Sequence, residues 1–187
     1  MRVTYQKRGD LFVLDFLEGK FLLVGNREVL NNYVAELHKR QIDDYPYGYW
    51  NLLALMSGWA LITEESTGKY TPQEMNLDLM TAIDFNKGCF PGQDTIRQIH
   101  NIRESKRMLL YGGGQTVRLS PGSPVYFEGK VVGEIVSSAL SPEGQVNMLV
   151  LVPITGIDLS RLSNGFGPLG PCLGLPYAVF ESTLSEN

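Results

Sequence analysis

Short apolar runs open this chain. Leu11-Phe12-Val13-Leu14 and Phe21-Leu22-Leu23-Val24 lie within a strand-like stretch from Val3 to Val24 and are separated by Glu18-Gly19-Lys20, a turn-like break. Asn26 then stands where a helix cap belongs. Val29, Leu30, Tyr33, Val34 and Leu37 fall on one helical face, while Glu28, Asn32, Glu36 and Lys39 fall largely elsewhere. Two strands followed by an amphipathic helix predict a fragment of an α+β layer, with the helix lying on a sheet.

The middle of the chain is less regular. Asp43-Asp44-Tyr45-Pro46-Tyr47-Gly48 is punctuated as a loop, and Trp50 to Met56 reads as a short buried helix. Glu64 to Pro72 is polar and predicts a surface loop. Gln73 to Phe85 carries Met75, Leu77, Leu79, Met80 and Ile83, an irregular helical spacing that leads into a glycine-flanked cysteine. Beyond it, Asp94 to Arg103 offers Ile96, Ile99 and Ile102 as a buried ridge at three-residue spacing.

The texture changes near Lys106. Met108-Leu109-Leu110-Tyr111, Pro124-Val125-Tyr126-Phe127, Val131 to Val136 and Val146 to Val152 are apolar runs broken by turns at Glu128-Gly129 and Pro142-Glu143-Gly144. Short strands at this spacing, with almost no helical periodicity, predict a small antiparallel sandwich or barrel. The predicted architecture is therefore an α+β region over residues 1–105 followed by a C-terminal antiparallel β-barrel over residues 106–187.

Composition narrows the function classes. With 187 residues, 43% hydrophobic and 19% charged, the chain can bury a core and is not of the disordered type. A formal charge of −4 does not suit a general polyanion binder. Two cysteines in dissimilar contexts, Cys89 and Cys172, make no disulfide framework and point to a reducing cytoplasm. No apolar leader is visible at the N-terminus. The apolar stretch from Leu52 to Ile62 is too short to span a bilayer, so a soluble protein without membrane partners is expected.

Unusual chemistry and unusual backbone coincide at Lys87-Gly88-Cys89-Phe90-Pro91-Gly92-Gln93-Asp94. A thiol beside a cation and near a helix N-terminus is stabilised as thiolate. The alternative is a small buried residue in a tight glycine loop, and both readings stay open on the residues alone. Gly88 and Gly92 permit positive φ angles or close backbone approaches. Around the cysteine, Lys87, Arg97, Arg103, Lys106 and Arg107 face only Asp94 and Glu104, a local reversal of the chain's acidity or simply a solvated helix face. Trp50 could stack on a flat ligand or pack in the core. No Cys-x-x-Cys pair exists and His38 and His100 lack ligand spacing, so no metal site is expected. Asp94 suits the first turn of a helix, and Gly112-Gly113-Gly114 lacks the context of a phosphate loop.

The Lys87-to-Asp94 stretch resembles the K-G-C-Y-x-G-Q-E signature of the YgfZ-type folate-binding proteins, relatives of the glycine-cleavage T-protein, an aminomethyltransferase. Pro72-Gln73-Glu74-Met75-Asn76-Leu77-Asp78 resembles the family's P-Q-x-x-N-L-x element, and Trp50-Asn51-Leu52-Leu53-Ala54-Leu55 with Gly58 resembles its W-x-x-L-x-I-x-A-G segment. Lys106-Arg107 matches a paired basic element before the C-terminal barrel, and Leu175-Pro176-Tyr177 resembles the family's usual ending. The resemblance places the chain in the family's C-terminal half and implies a partial ferredoxin-like, T-protein-like domain before the barrel. The half without a counterpart supplies one wall of the folate channel and, in aminomethyltransferases, the catalytic aspartate.

The resemblance further implies tetrahydrofolate binding, with support for iron–sulfur proteins or their assembly machinery and, through them, tRNA-modifying enzymes. By position, Trp50, Lys87, Gly88, Cys89, Gly92, Gln93, Lys106 and Arg107 are the expected folate-binding residues. Cys89 is the candidate reactive thiol, and no residue is expected to be catalytic. Phe90 in place of Tyr, Asp94 in place of Glu, Gln98 in place of Arg and Ile102-Arg103 in place of Arg-Gly depart from the pattern. The implied function is a binding and maintenance factor rather than a turnover enzyme. The rivals are a folate-dependent aminomethyl or methyl transferase and a diverged interaction module without ligand.

Overall fold

Gly9 and Asp10 turn the first strand back along the second. The computed structural model describes residues 4–17, 20–80, 82–102, 107–115, 117–153, 155–170 and 172–173. It divides between Pro46 and Tyr47 into two compact units. In the first, β1 (Thr4–Arg8), β2 (Leu11–Leu17) and β3 (Lys20–Val24) form an antiparallel sheet in chain order. Directly opposed residues share a face, so the pairs Phe12–Val24, Leu14–Leu22 and Tyr5–Leu14 gather apolar side chains on one side. Of the expected turn, Glu18 and Gly19 lie outside the described residues. Helix α1 (Arg27–Lys39) starts where expected, with the Asn26 carboxamide oxygen accepting from the Val29 N–H at 2.9 Å. Its apolar face is only partly covered: Val29, Leu30 and Leu37 are half-buried, while Tyr33 and Val34 are exposed.

The second unit is built on a five-stranded antiparallel sheet in the order β5-β6-β7-β4-β8. These strands are β4 (Arg107–Gln115), β5 (Pro124–Phe127), β6 (Lys130–Leu140), β7 (Val146–Pro153) and β8 (Cys172–Leu173). Side chains alternate across the pleat, and both faces are covered. Met108, Leu110, Met148, Val150 and Val152 pack on one face with Leu119, Val125, Leu162 and Leu169. Leu109, Leu149, Leu151 and Val136 pack on the other with Leu52, Leu55, Ala60 and Met75. Burial on both faces explains why β7 is apolar without a break from Met148 to Val152. Helix α2 (Tyr47–Met56) lies against β6 and β7 on the second face.

The α+β class, with two antiparallel sheets and three α-helices among the described residues, agrees with the sequence reading. The expected barrel does not close among the described residues. Among the described residues the free edge of β5 is met by a single bridge, Tyr126–Ser163, followed by Ser163–Pro168, and no ladder continues from there to β8. The boundary expected near residue 105 falls on residues 103–106, outside the described residues. On either side of that point, Met75 and Leu109 share one core cluster.

A second correction concerns the helix expected over Gln73–Phe85: turns run from Gln73 to Met80, and no helix is found there among the described residues. Thr71 and Glu74 form a reciprocal capping box: the Thr71 N–H donates to the Glu74 carboxylate at 2.9 Å, and the Glu74 N–H donates to the Thr71 hydroxyl at 3.3 Å. Pro72 takes the first position, where its missing N–H costs nothing. The turn stops at once because Asn76 adopts φ 56°, a left-handed conformation incompatible with helix. Among the described residues no helix is long and apolar enough to cross a membrane.

Candidate functional site

The signature loop is fixed by local backbone chemistry. The Asp84 carboxylate accepts from the Asn86 N–H at 2.8 Å, which turns the chain into the loop. At the far end the Gln93 N–H donates to the Phe90 carbonyl at 3.2 Å, and Gly92 sits at φ +81°, where a side chain is strained. Gly88 is not at positive φ, and a Cβ there would meet nothing within 4 Å. Helix α3 (Gln93–Ile102) follows, with Asp94 in its first turn.

Cys89 therefore lies four positions before α3 rather than on its first N–H groups. It is exposed, which removes the reading of a buried structural cysteine. Lys87 and Phe90 are joined: the ammonium lies over the aromatic ring, 4.5 Å from its centre. This contact uses the Phe90 ring and needs no hydroxyl. Gln93 is half-buried at the helix start.

Trp50 stands in α2 and is half-buried. Lys106 lies outside the described residues. Arg107 opens β4, and its guanidinium is committed to two carboxylates. Its Nε donates to Glu74 at 2.8 Å, and Nη1 lies 3.7 Å from Glu134. An anion arriving here would compete with two resident carboxylates. Burial tends to raise the Glu74 pKa, but the Thr71 N–H and Arg107 outweigh it and hold the carboxyl below its ordinary range. Tyr70 joins the cluster. Burial first, then the charge and hydrogen bond of Glu134, push its phenol up to about 12.

The segment from Gln73 to Asn76 connects these parts. Gln73, 4% exposed, donates its Nε2 to the Ile96 carbonyl of α3 at 2.7 Å. Glu74 holds Arg107 of β4. Met75 enters the core cluster that also takes Leu52 and Leu55 of α2. Asn76 donates Nδ2 to the Leu109 carbonyl of β4 at 3.1 Å. Four consecutive residues thus brace the signature helix, the tryptophan helix and the sheet. Arg97 adds a local tie, donating Nη2 to the Phe85 carbonyl at 2.7 Å.

Sequence reasoning missed Tyr70 and Glu134 altogether, and it named Gln73 in the Pro72–Asp78 element and Arg97 in the cationic cluster without their backbone partners. The capping-box spacing Thr71-Pro72-x-Glu74 and the Pro72–Asp78 element were the local signals for the brace. The Arg107 pairs carry none, because their partners lie far away in sequence.

No family model matches the chain. Among curated proteins, it is 29% identical over 101 residues to a protein named tRNA-modifying protein YgfZ from Colwellia psychrerythraea, covering 54% of this chain and 30% of that relative. The protein of the same name from Serratia proteamaculans is 30% identical over 101 residues, again 54% of this chain and 30% of the relative. Over the matched segment this chain is similar to the YgfZ-type proteins. A further relative, from Aspergillus oryzae, is named iron-sulfur cluster assembly factor IBA57 homolog, mitochondrial. It is 43% identical over 79 residues, 40% of this chain and 17% of the relative. The matched segment thus spans under a third of the length of these YgfZ relatives.

Proposed function

We propose that this chain provides part of a tetrahydrofolate-binding surface in a YgfZ-type protein that supports iron–sulfur cluster proteins and, through them, tRNA modification. The observation that carries the reading is the exposed Cys89 loop, held by the same brace that anchors the helix bearing Trp50. The names of the YgfZ and IBA57 relatives support the two processes. Partners in this reading are iron–sulfur proteins or their assembly machinery and tRNA-modifying enzymes, in the cytoplasm.

The residues fit the ligand in kind. A half-buried indole offers a flat apolar face to a pterin, an exposed ammonium at Lys87 attracts the anionic glutamate tail, and the Gln93 amide both donates and accepts. Arg107 is assigned a different duty, since it is neutralised by Glu74 and Glu134. When bound, tetrahydrofolate supplies a reduced pterin able to carry one-carbon units. The chain's own residues bind and orient it, and Cys89 offers an accessible thiol to a partner. This is the chemistry of a binding factor, not of turnover.

Calorimetric titration of tetrahydrofolate into the protein and its Trp50→Ala variant tests the reading. Saturable binding that weakens in the variant is expected. Absence of binding to folded wild-type protein overturns the folate assignment.

A further inference from the structure

We infer that Gln73 and Arg97, two residues outside the Lys87–Asp94 signature, position the signature loop and thereby set how Cys89 is presented. The inference deepens the reading of that loop as the ligand-facing part of the site and rests on it.

The bonds described within the loop are local. Lys87 lies over Phe90, and the Gln93 N–H returns to the Phe90 carbonyl, so these contacts shape the loop without referring it to the core. Two longer bonds supply that reference. Arg97 reaches back twelve positions to the Phe85 carbonyl and ties the start of the loop to α3. Gln73 reaches forward twenty-three positions to the Ile96 carbonyl and ties α3 to the brace. Ile96 and Arg97 are neighbours, so both restraints meet in one turn of the helix.

Gln73 is itself well held. It sits inside the Thr71–Glu74 capping box and is followed by Met75 in the core and Asn76 on the Leu109 carbonyl. Its orientation is determined, because a carbonyl only accepts and Nε2 must face Ile96. Its Oε1 is buried and has no hydrogen-bond partner among the described residues. A half-satisfied buried amide is less favourable than an apolar side chain of similar size. What the amide adds is direction: it fixes one point of α3, and the exposed loop takes its position from that point.

The test reads the thiol. In a Cys172→Ser background only Cys89 reacts with an alkylating probe such as iodoacetamide, and its rate is followed across pH for Gln73→Leu, Gln73→Glu, Arg97→Gln and Arg97→Lys. Gln73→Leu and Arg97→Gln are expected to change the rate by about threefold or more relative to wild type. Arg97→Lys keeps a donor of nearly the same reach, which the shorter Gln amide lacks, and recovers part of the wild-type rate. Gln73→Glu recovers it as pH falls, since a buried carboxyl that is protonated again donates to Ile96. Rates and pH profiles indistinguishable from wild type in Gln73→Leu and Arg97→Gln overturn the inference. Should Gln73→Leu fail to fold, the exposed Arg97→Gln decides alone. Thiol kinetics need no folate, so failure of ligand binding and failure of this inference are separately visible.

Discussion

Asn76 combines two demands in one side chain. Its backbone lies at φ 56° and its amide is buried against the Leu109 carbonyl. Asn is the side-chain-bearing residue best suited to that conformation, because its short polar group tolerates the left-handed region. Asn76→Gly is expected to cost about 1–2 kcal/mol through the lost hydrogen bond. Asn76→Ala should cost about 1 kcal/mol more, because it adds backbone strain. Urea midpoints measure both, and equal losses would remove the strain argument. Gly133 makes a different demand. It lies in β6 close against β7, where an added Cβ would overlap the Leu151 carbonyl oxygen and crowd Val152. Gly133→Ala is expected to destabilise by about 3 kcal/mol, since the obstacle is backbone and cannot turn aside. At this scale the sequence was partly legible. Asn26 announces its cap and Gly92 its turn, whereas nothing around Gly133 foretells its neighbour on another strand.

Among the elements, the capped turn at Thr71–Glu74 and the strands β4 and β6 are joined through Arg107, Glu134 and Tyr70. The Tyr70 phenol is raised from the ordinary tyrosine value of 10.0 to about 12, so its protonated form is favoured in the folded state. The resulting stabilisation is complete below pH 10 and is lost as pH rises through about 12. Ultraviolet titration of wild type against Tyr70→Phe should show Tyr70 among the last of the nine tyrosines to ionise. Glu134→Gln should move that step to lower pH, and an unchanged step would break the assignment. The elements themselves were unevenly readable. The C-terminal strands follow from apolar runs and turn residues. The helix expected at Gln73–Phe85 fails although Met75, Leu77, Leu79 and Met80 have helical spacing, because one left-handed residue ends the turn. The Cys89 loop was legible from its glycines and motif. The pairing of Arg107 was not, because hydrophobic rhythm carries no record of which charges meet.

Across the whole molecule, burial is concentrated in one of the two units. Among the described residues of the first, Leu11 is the sole hydrophobic side chain that is buried, while Tyr5, Phe12, Phe21, Leu22 and Val24 are exposed. The second unit holds both core clusters. Local stability follows buried apolar contact, so amides of β1–β3 and α1 are expected to exchange with solvent faster than those of β4, β6 and β7. Hydrogen exchange read by mass spectrometry checks this, and uniform protection would mean that the units open together. The α+β class was readable from the order of apolar patterns. Closure of the strands into a barrel was not, because it depends on pairings at the sheet edges that leave no periodic trace. The brace carries one more implication, for how this sequence can change. Gln73, Glu74, Met75 and Asn76 address α3, Arg107, the core and Leu109 in strict succession. Point substitutions there can be absorbed one contact at a time, but a single inserted or deleted codon would assign every side chain to its neighbour's task. In this segment chain length, more than composition, is what descent has to preserve.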